Sequence, residues 1–418
     1  MTIRPLTESD ISTPAEPLAA GADLRLLVIS FKECWQDEAG RWCTHGGFPL
    51  QMKAISRLFD HTTFLLTESP FQDGGTPLPD GAEVIRLPRP AGSDLRRKLW
   101  IGAHLPGLLQ TLQAHVRAAD VVHTPLPGDI PLLGMVVALR LRKRVIARYG
   151  GSWEETSQTT AMNRLTKRLM ARNAGGRNVM LVSGLGDPAR PPAPGLHWLM
   201  TTAIEESDLE SVRPDLYRPP HDPLRLVYAG RFSPEKGLPV LLRALGMLKA
   251  AYSSGEPPLQ VHLIGDGPQR AELLELAARW GLGEWVRFTG MQPRAALYRL
   301  FLAADACVLP SLTESFGKTR IEAMLAGLPV LTTEVGFGRQ IVGADGERGW
   351  LAPSGDAAAL AERLDALTRL RDPGEWAALR RRCRAYAERF TLEDWTAAIG
   401  RICAEQWKFR LVGGKLTP

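Results

Sequence analysis

The sequence predicts an α/β protein built from two Rossmann-like, doubly wound domains that face each other across a cleft. Its 418 residues are more than one ordinary hydrophobic core organises, so two domains of about 200 residues each are expected. Apolar runs of strand length alternate with amphipathic helices, which is the pattern of parallel α/β sheets. A segment rich in proline and charge, residues 213–223, interrupts this alternation and is predicted to be a linker.

The domain plan follows from that interruption. We expect a flexible tail over residues 1–22, a first domain over 23–212, a second over 224–390, a helix over 391–410 that packs back on the first domain, and a tail over 411–418. In the first domain, strands are predicted at 24–30, 63–67, 84–87, 121–123, 144–149 and 179–182, with a helix at 49–59. In the second, strands are predicted at 224–229, 259–264, 286–288, 306–309 and 330–333, and helices at 238–251, 269–280, 295–304, 316–326, 357–370, 373–390 and 392–406.

Composition excludes several classes of protein. The chain is 44% hydrophobic and 23% charged, as soluble globular proteins are. Its five cysteines lack metal-ligand spacing, which favours reduced thiols in a cytoplasm over a disulfide framework or a metal site. The first residues lack the apolar stretch of a secretory signal, and the longest wholly apolar run, 130–139, is half of a membrane span. We therefore expect a cytoplasmic protein that does not cross a membrane.

Positive charge is concentrated in the first half of the chain. Between Arg86 and Arg190 there are 17 Lys and Arg against 6 Asp and Glu, within a net charge of +6. This field favours anionic partners, although a solvated basic face is an equally weighted alternative. The basic amphipathic stretch at 163–172, NRLTKRLMAR, suggests peripheral contact with an anionic membrane, against the alternative of a solvated helix face. No nucleic-acid motif accompanies the basic residues, so nucleic acid is not an expected partner.

Two basic side chains follow the strand predicted at 224–229. They are Arg231 and Lys236, in the run GRFSPEKG that extends from Gly230 to Gly237. Ligands of open α/β sheets gather at the carboxyl ends of the strands, and a helix that starts there adds free N–H groups and partial positive charge. The run therefore predicts an anion site, with an ordinary surface turn as the alternative.

Two carboxylates follow the strand predicted at 306–309. Glu314 is expected in the loop and Glu322 on the second turn of the next helix, because eight residues on one ideal helix would not pair them. Ser315 is expected to cap that helix, and Gly317 lets backbone N–H groups approach a phosphate. A carboxylate such as Glu322 can accept two hydrogen bonds from vicinal hydroxyls, as a ribose offers. The alternative is a capped helix with surface carboxylates.

Five segments together carry a resemblance to a known family. AGRFSPEKG, IGDGP, VRFTGMQP, LPSLTESFGKTRIEAMLAGLPVL and GWLAPSGD look like the family 4 retaining glycosyltransferases of GT-B fold. The resemblance is dense over residues 224–356 and weaker over the first domain. It implies an enzyme that moves a sugar from a nucleoside-diphosphate-sugar donor to a glycan or lipid-linked acceptor. It further implies a place in bacterial surface polysaccharide or glycolipid synthesis, with no metal and no cofactor.

The resemblance also implies roles for individual residues. Arg231 and Lys236 would neutralise the departing diphosphate, Glu314 would contact the transferred sugar, and Glu322 would hold the ribose. The first domain would contribute a glycine loop, and the second would hold the rest of the donor. The implied donor-binding residues are Gly46, Gly47, Gly230, Gly265, Gly267, Gly290, Phe316, Gly317, Lys318, Thr319 and Glu322.

The sequence departs from the family pattern at two places. Tyr149 stands where relatives have a histidine near the donor sugar, so Tyr149 and His123 are both candidate sugar contacts. Gln340 stands where a glutamate is usual, which leaves the donor sugar open. Two alternatives therefore stay open: a nucleotide-sugar epimerase, for which His45 and His123 are the candidate acid and base, and a non-catalytic nucleotide-sugar-binding protein.

Overall fold

The structure is a computed structural model that describes residues 21–71, 75–90, 94–155, 159–184, 190–252 and 256–418. The chain forms two compact units. The first consists of Met1–Thr201 with Leu392–Pro418, and the second of Thr202–Thr391. The tail predicted over residues 1–22 lies outside the described residues except for its last two positions.

The first unit is built around a nine-stranded sheet. Seven parallel strands run in the spatial order β5-β3-β1-β6-β7-β8-β9, and two short antiparallel strands, β2 and β4, extend the end of β1. Helices alternate with the strands, and the segments are β1 Arg25–Gln36, β2 Trp42–Thr44, α1 Phe48–Ser56, β3 His61–Glu68, β4 Thr76–Pro77, β5 Glu83–Leu87, α2 Asp94–Ala118, β6 Val121–Leu126, α3 Asp129–Arg140, β7 Arg144–Tyr149, α4 Ala161–Asn173, β8 Asn178–Ser183 and β9 Leu196–Leu199.

Both faces of this sheet are covered by apolar side chains. Alternate residues of each strand point to opposite faces, so Val121 and Val122 enter different clusters. One cluster includes Leu26 and Val28 with residues of α1, and the other includes Leu27 and Ile29 with residues of α2 and α3. Parallel strands buried on both faces are the reason that the sequence reads as continuous apolar runs.

The second unit has a six-stranded, wholly parallel sheet. Its order, β12-β11-β10-β13-β14-β15, is the doubly wound order in which the third strand lies at one edge and the sixth at the other. The segments are α5 Glu206–Ser211, β10 Leu224–Ala229, a 3₁₀ turn Pro234–Lys236, α6 Leu238–Ala251, β11 Leu259–Ile264, α7 Arg270–Arg279, β12 Val286–Gly290, α8 Arg294–Leu302, β13 Ala306–Leu309, α9 Lys318–Leu325, β14 Val330–Thr333, α10 Gly338–Val342, β15 Gly349–Ala352, α11 Ala357–Arg369 and α12 Pro373–Ala387.

The boundary between the units differs from the expected one. The first domain was predicted to extend to residue 212, but residues 202–212 belong to the second unit. The reason is a set of hydrogen bonds: Arg384 donates to the carbonyl oxygens of Leu209 and Val212, and Thr202 Oγ1 donates to that of Phe390. No local sequence pattern reveals these contacts, because they join residues more than 170 positions apart.

The C-terminal residues belong to the first unit. Helix α13, Leu392–Trp407, buries Trp395, Ile399 and Cys403 in the same cluster as α1. Residues 411–418 were predicted as a tail. Together with Arg410 they instead form a hairpin of two strands, β16 Arg410–Val412 and β17 Lys415–Thr417. Leu416 is buried and its N–H donates to Leu58 O, which fixes the hairpin on this unit.

All five cysteines are buried as free thiols. Burial raises the pKa of the Cys34 thiol to about 12, so at neutral pH it is a protonated, weakly nucleophilic group. Within the described residues, no helix is both long enough and apolar enough to span a membrane.

The predicted linker, residues 213–223, is fixed to the second unit by one buried carboxylate. Asp305 has a fully buried side chain and accepts hydrogen bonds from Arg218, His221 and the backbone N–H of Arg225. Arg380 also donates to it. Burial opposes ionisation of Asp305, but these donors and the positive charge of Arg218 outweigh it and hold its pKa below the usual value.

We predict that Asp305→Asn lowers the free energy of unfolding by about 3 kcal/mol at pH 7, because buried cations lose their counter-charge. The pKa of Asp305 is depressed in the folded state, so its stabilisation is fully present above the unfolded pKa and lost as pH falls through the folded pKa. Urea denaturation from pH 7 to pH 3 measures this, and the difference from the unaltered chain should shrink below about pH 4. Asp345→Asn, at an exposed pair with Arg363, is the matched control and should change little. Equal effects of the two variants would contradict the prediction.

Candidate functional site

The candidate site lies where strands β10 and β13 end. These strands are neighbours in the sheet, and the chain leaves them toward opposite edges, which makes this point a topological switch. Ligands of doubly wound sheets bind at such a point because the loops after the two strands diverge there. The site is therefore formed by residues after Ala229 and after Leu309.

The two loops are joined through their backbones. After β10, the chain makes the 3₁₀ turn Pro234–Lys236 and continues through Gly237 at φ +66°. The N–H of Leu312, in the loop after β13, donates to Glu235 O at 2.8 Å. A Cβ on Gly237 would lie 2.0 Å from Pro310 O, so only glycine permits this approach of the loops.

The approach of the loops brings together Lys236 and Glu314. Lys236 Nζ donates to Glu314 Oε2 at 2.6 Å, and the two side chains retain 25% and 19% of their exposure. Both residues were predicted as site residues, but their mutual ion pair was not foreseen. A half-buried pair that still reaches solvent can exchange its partner for an incoming anion, because its charges are only partly desolvated.

Arg231 lies in the same loop but is exposed. Its backbone O accepts a hydrogen bond from Tyr228 Oη at 3.0 Å, which fixes the chain at this point. Burial alone would raise the pKa of Glu235, but a hydrogen bond from Ser233 and the charges of Lys236 and Arg231 hold it below its usual value. The cationic loop therefore also carries one ionised carboxylate, which reduces its net charge.

The start of helix α9 completes the site. Gly317 is its N-cap at φ +74°, with no side-chain cap, so the expectation that Ser315 caps the helix is wrong. The helix begins later than predicted because glycine adopts this left-handed conformation readily. The N–H of Arg320 donates to Gly317 O at 2.9 Å, and the positive end of the helix dipole lies at the first turn of α9.

A small cavity at this point is lined in part by predicted site residues, namely Gly230, Lys236, Glu314, Gly317 and Thr319. It is lined by side chains and backbone from both loops and from the first turn of α9. Its lining consists of Tyr228, Ala229, Gly230, Lys236, Leu309, Ser311, Glu314, Gly317, Thr319 and Arg320.

Arg320 is a residue of this cavity that sequence reasoning missed. Its side chain is 1% exposed, and burial lowers the pKa of its guanidinium. Its Nε donates to Thr332 Oγ1 at 3.2 Å, and its Nη1 lies 3.4 Å from Phe316 O. A buried arginine adds fixed positive charge behind the loop, and no sequence pattern distinguishes it from an exposed arginine of a helix.

Glu322 lies on the second turn of α9, as expected, and its side chain is 16% exposed. Its carboxylate is 4.0 Å from Arg294 Nη1 at the start of α8. Arg294 also forms an ion pair with Asp208 of α5. Neither Arg294 nor Asp208 was predicted as a site residue.

The remaining predicted residues of the second unit support the loops. Gly265 and Gly267 follow β11, and a Cβ on either would collide with the backbone of Gly230 or Phe232. Gly290 ends β12 and accepts a hydrogen bond from Gly265 N at 2.9 Å. These glycines let the loops after three adjacent strands pack together.

The cavity lining does not include Phe316, Lys318 or Gln340. Phe316 is 2% exposed and packs against the rings of Phe337 and Phe390, so its role is to anchor the loop. Lys318 occupies the first helical position. Gln340 lies on α10, where its backbone O accepts a hydrogen bond from Arg348.

In the first unit, Gly46 and Gly47 precede helix α1. Gly46 has φ +78° and Gly47 is the N-cap of the helix, without a side-chain cap. The ring of His45 packs against Trp35, with 4.6 Å between ring centroids. This glycine turn thus leaves N–H groups at a helix start open, and its role in donor binding stays a prediction.

The two candidate sugar contacts of the first unit lie in its core. His123 is fully buried, its Nδ1 is 2.8 Å from Ile146 O, and burial together with Arg148 lowers its pKa to about 3. Tyr149 is 2% exposed and packs against Trp153 and Lys167. Side chains buried in this way are held by the sheet, so this structure supports packing roles for both.

Among the residues that the structure describes, no group of three or more His, Cys, Asp or Glu side chains is placed to hold a metal ion.

Comparisons of sequence match only part of the chain. Residues 215–390 match the family described as "Glycosyl transferases group 1". A D-inositol 3-phosphate glycosyltransferase of Catenulispora acidiphila is 38% identical over 178 residues, which cover 40% of this chain and 41% of that protein. The chain thus matches less than half of the length of this curated relative.

Solved structures match over nearly the whole chain. A sucrose-phosphate synthase from Thermosynechococcus elongatus has a TM-score of 0.68 at 21% identity, covering 92% of this chain and 99% of that one. Anabaena Alr3699/HepE in complex with UDP-glucose has a TM-score of 0.63 at 21% identity, covering 92% and 100%. At this identity the likeness establishes the fold.

The class of protein follows from these findings. Both units are doubly wound α/β structures and the fold is of the GT-B class, and residues 215–390 match the group 1 glycosyltransferase family. The predicted α/β class, with two Rossmann-like doubly wound domains, is therefore confirmed.

We predict that Gly237→Ala destabilises the second unit by about 3 kcal/mol or more, because its Cβ would collide with Pro310 O. Gly290→Ala is the matched control, since Gly290 has φ +73° but open space around its Cβ position. It should cost only the conformational penalty of about 1 kcal/mol. Urea denaturation of the two variants measures both terms. Equal costs would contradict the close approach of the loops.

Proposed function

We propose that this chain is a retaining glycosyltransferase that moves a sugar from a nucleoside-diphosphate-sugar donor to a glycan or lipid-linked acceptor. The observation that carries the proposal is the Lys236–Glu314 pair beside the uncapped start of α9. A cation, a helix N-terminus and a carboxylate at one switch point suit a ligand that has both a diphosphate and hydroxyl groups.

The diphosphate would bind between Lys236 and the first N–H groups of α9. Lys236 would then exchange Glu314 for a phosphate oxygen, and exposed Arg231 would approach from the same loop. The released carboxylate of Glu314 would accept hydrogen bonds from hydroxyls of the transferred sugar. Glu322, farther along α9, would accept those of the ribose.

The chemical step breaks the bond between the sugar carbon and the diphosphate oxygen. The electron pair leaves with that oxygen while positive charge develops on the sugar, as in other glycosyl transfers. The acceptor hydroxyl oxygen then forms the new bond to the same sugar carbon, and its proton passes to the released diphosphate. Positive groups already fixed around the diphosphate stabilise the leaving oxygen more in the transition state than in the bound donor. Lys236, Arg231, buried Arg320 and the dipole of α9 would supply this charge without a metal ion.

The epimerase alternative requires a proton donor and acceptor near the sugar. His123 was one candidate, but its ring is fully buried and its pKa of about 3 makes the imidazole a weak base at pH 7. This observation favours transfer over epimerisation. The non-catalytic alternative is separated from transfer by the turnover experiment below.

For the acceptor side, we propose a role in bacterial surface polysaccharide or glycolipid synthesis, in the cytoplasm at the inner face of the membrane. Helix α4 supports membrane contact, because it exposes Met162 and Leu165 at 40% and 48%. Arg164, Arg168 and Arg172 are exposed on the same helix, at spacings that place them on one side. Exposed apolar side chains among basic ones are suited to an anionic lipid surface.

The donor is identified by a thermal-shift panel of UDP, GDP, ADP and TDP and their glucose, galactose and mannose derivatives. A diphosphate that binds only the folded state raises the melting temperature with its concentration. Turnover with the selected donor is followed by nucleoside diphosphate release, and NMR of the product gives the anomeric configuration. Retention is expected, and inversion would overturn that part of the proposal.

We predict that Lys236→Met lowers kcat/KM for the selected donor by about 10²- to 10³-fold, as loss of one charge-stabilising group does. Lys249→Met, at a half-buried position on α6 that does not line the cavity, is the matched control and should retain activity. Steady-state kinetics of both variants checks this. Full activity of Lys236→Met would remove the main support for the proposed site.

We predict that the double variant Met162→Ser, Leu165→Ser loses binding to vesicles of phosphatidylglycerol, which the unaltered chain should show at low salt. The apolar side chains contribute burial in the lipid and the arginines contribute attraction that salt screens. Vesicle flotation measures the bound fraction. The control is Met247→Ser, Leu274→Ser, which removes two equally exposed apolar side chains from the second unit. Failure of the unaltered chain to bind at low salt would refute membrane contact.

A further inference from the structure

Three side chains from three separate elements of the second unit converge beside the start of α9. They are Asp208 of α5, Arg294 at the first position of α8, and Glu322 of α9. Arg294 Nη2 donates to Asp208 Oδ2, and Arg294 Nη1 is 4.0 Å from Glu322 Oε1. The guanidinium therefore bridges two carboxylates.

The position of Arg294 is fixed on one side. The same Nη2 atom donates to Tyr298 Oη at 3.2 Å, and the guanidinium carbon lies 5.0 Å from the centre of the Tyr298 ring. Asp208 is also fixed, because its Oδ2 accepts from the backbone N–H of Glu205 at 2.7 Å in a capping box. Arg294 is thus anchored through Nη2, and its Nη1 is left to face Glu322.

Glu322 is held by charge but keeps its hydrogen-bonding capacity. At 4.0 Å the contact with Arg294 is an ion pair without a direct hydrogen bond. Among the described residues, no side-chain donor lies within hydrogen-bond distance of the Glu322 carboxylate. Both oxygens are therefore able to accept from a ligand, although the side chain is only 16% exposed.

A carboxylate with these properties suits a vicinal diol. Two hydroxyl groups need two free acceptor oxygens, which a direct bidentate pair with arginine would occupy. A nearby fixed cation lowers the cost of keeping the carboxylate charged in a half-buried position. Fixing the carboxylate before the ligand arrives also lowers the entropy lost on binding.

We propose that Arg294 is a positioning residue that holds Glu322 for the 2′- and 3′-hydroxyls of the donor ribose, and that Asp208 holds Arg294. This inference rests on the proposed function. It adds that residues 202–212, where the chain passes from the first unit into the second, determine how firmly the ribose is bound. Asp208 is the residue that links this segment to the site.

The test compares ribose with dideoxyribose. Isothermal titration of the full chain measures the Kd of UDP, GDP and ADP and of their 2′,3′-dideoxy counterparts. We predict that Arg294→Met weakens binding of the ribose form of the nucleotide about tenfold. This change corresponds to the loss of one charge-assisted hydrogen bond. The dideoxy form should bind Arg294→Met and the unaltered chain equally. Glu322→Gln should show the same pattern, and the double variant should be no weaker than the weaker single variant.

Two further variants separate positioning from folding. Arg294→Lys should recover part of the affinity for the ribose form, and Asp208→Asn should lose less than Arg294→Met. Arg299→Met, at an exposed position of the same helix, is the matched control and should bind as the unaltered chain does. If Arg294→Met does not fold, Asp208→Asn and Arg294→Lys still give the ratio of ribose to dideoxyribose affinity.

Two outcomes would overturn the inference. The first is that Arg294→Met weakens binding of the ribose and dideoxyribose forms equally. The second is that the loss of affinity in the double variant equals the product of the losses in the two single variants. Either result would show that Arg294 does not act through Glu322. That result leaves the proposed function standing. Absence of any nucleoside diphosphate binding by the unaltered chain would instead overturn the proposed function, and the inference with it.

Discussion

The ion pair between Lys236 and Glu314 joins the loops that follow two neighbouring strands of one sheet, and the candidate site depends on it. The pair exists because Gly237 has no Cβ, which allows the turn Pro234–Lys236 to approach Pro310. The loops then exchange a backbone hydrogen bond between Leu312 N and Glu235 O. A doubly wound sheet places such loops side by side. The strand order thus makes the loops neighbours, Gly237 lets them approach, and the ion pair forms between them.

The pair also explains how one site can serve two parts of a ligand. A lysine and a glutamate that neutralise each other at rest are both charged, and neither is fully desolvated. An incoming diphosphate can bind the lysine, and the carboxylate can then accept hydrogen bonds from hydroxyl groups of the ligand. Buried Arg320 and the helix start at Gly317 keep the local potential positive during that exchange.

Much of the second unit could be predicted from the sequence. Strands Leu224–Ala229, Leu259–Ile264, Ala306–Leu309 and Val330–Thr333 are found at their predicted bounds, because a strand buried on both faces is an uninterrupted apolar run. Helix Asp94–Ala118 was missed because it has little amphipathic pattern and contains Pro106. The extension of β1 to Gln36 was missed because lysine and glutamate interrupt its apolar run.

The site was predictable only in part, for a similar reason. Arg231, Lys236, Glu314 and Glu322 stand at strand ends and near a helix start, where local sequence gives a signal. The contacts of Arg294 with Asp208, and the burial of Arg320, depend on residues brought together by the fold. No spacing rule reaches across 86 residues.

A crystal structure of the chain with its selected nucleoside diphosphate tests the central claim most directly. We predict that Lys236 Nζ and the backbone N–H groups at the start of α9 lie within about 3.2 Å of phosphate oxygens. Lys236 will then no longer be paired with Glu314. A diphosphate bound elsewhere, with the Lys236–Glu314 pair intact, would contradict the account.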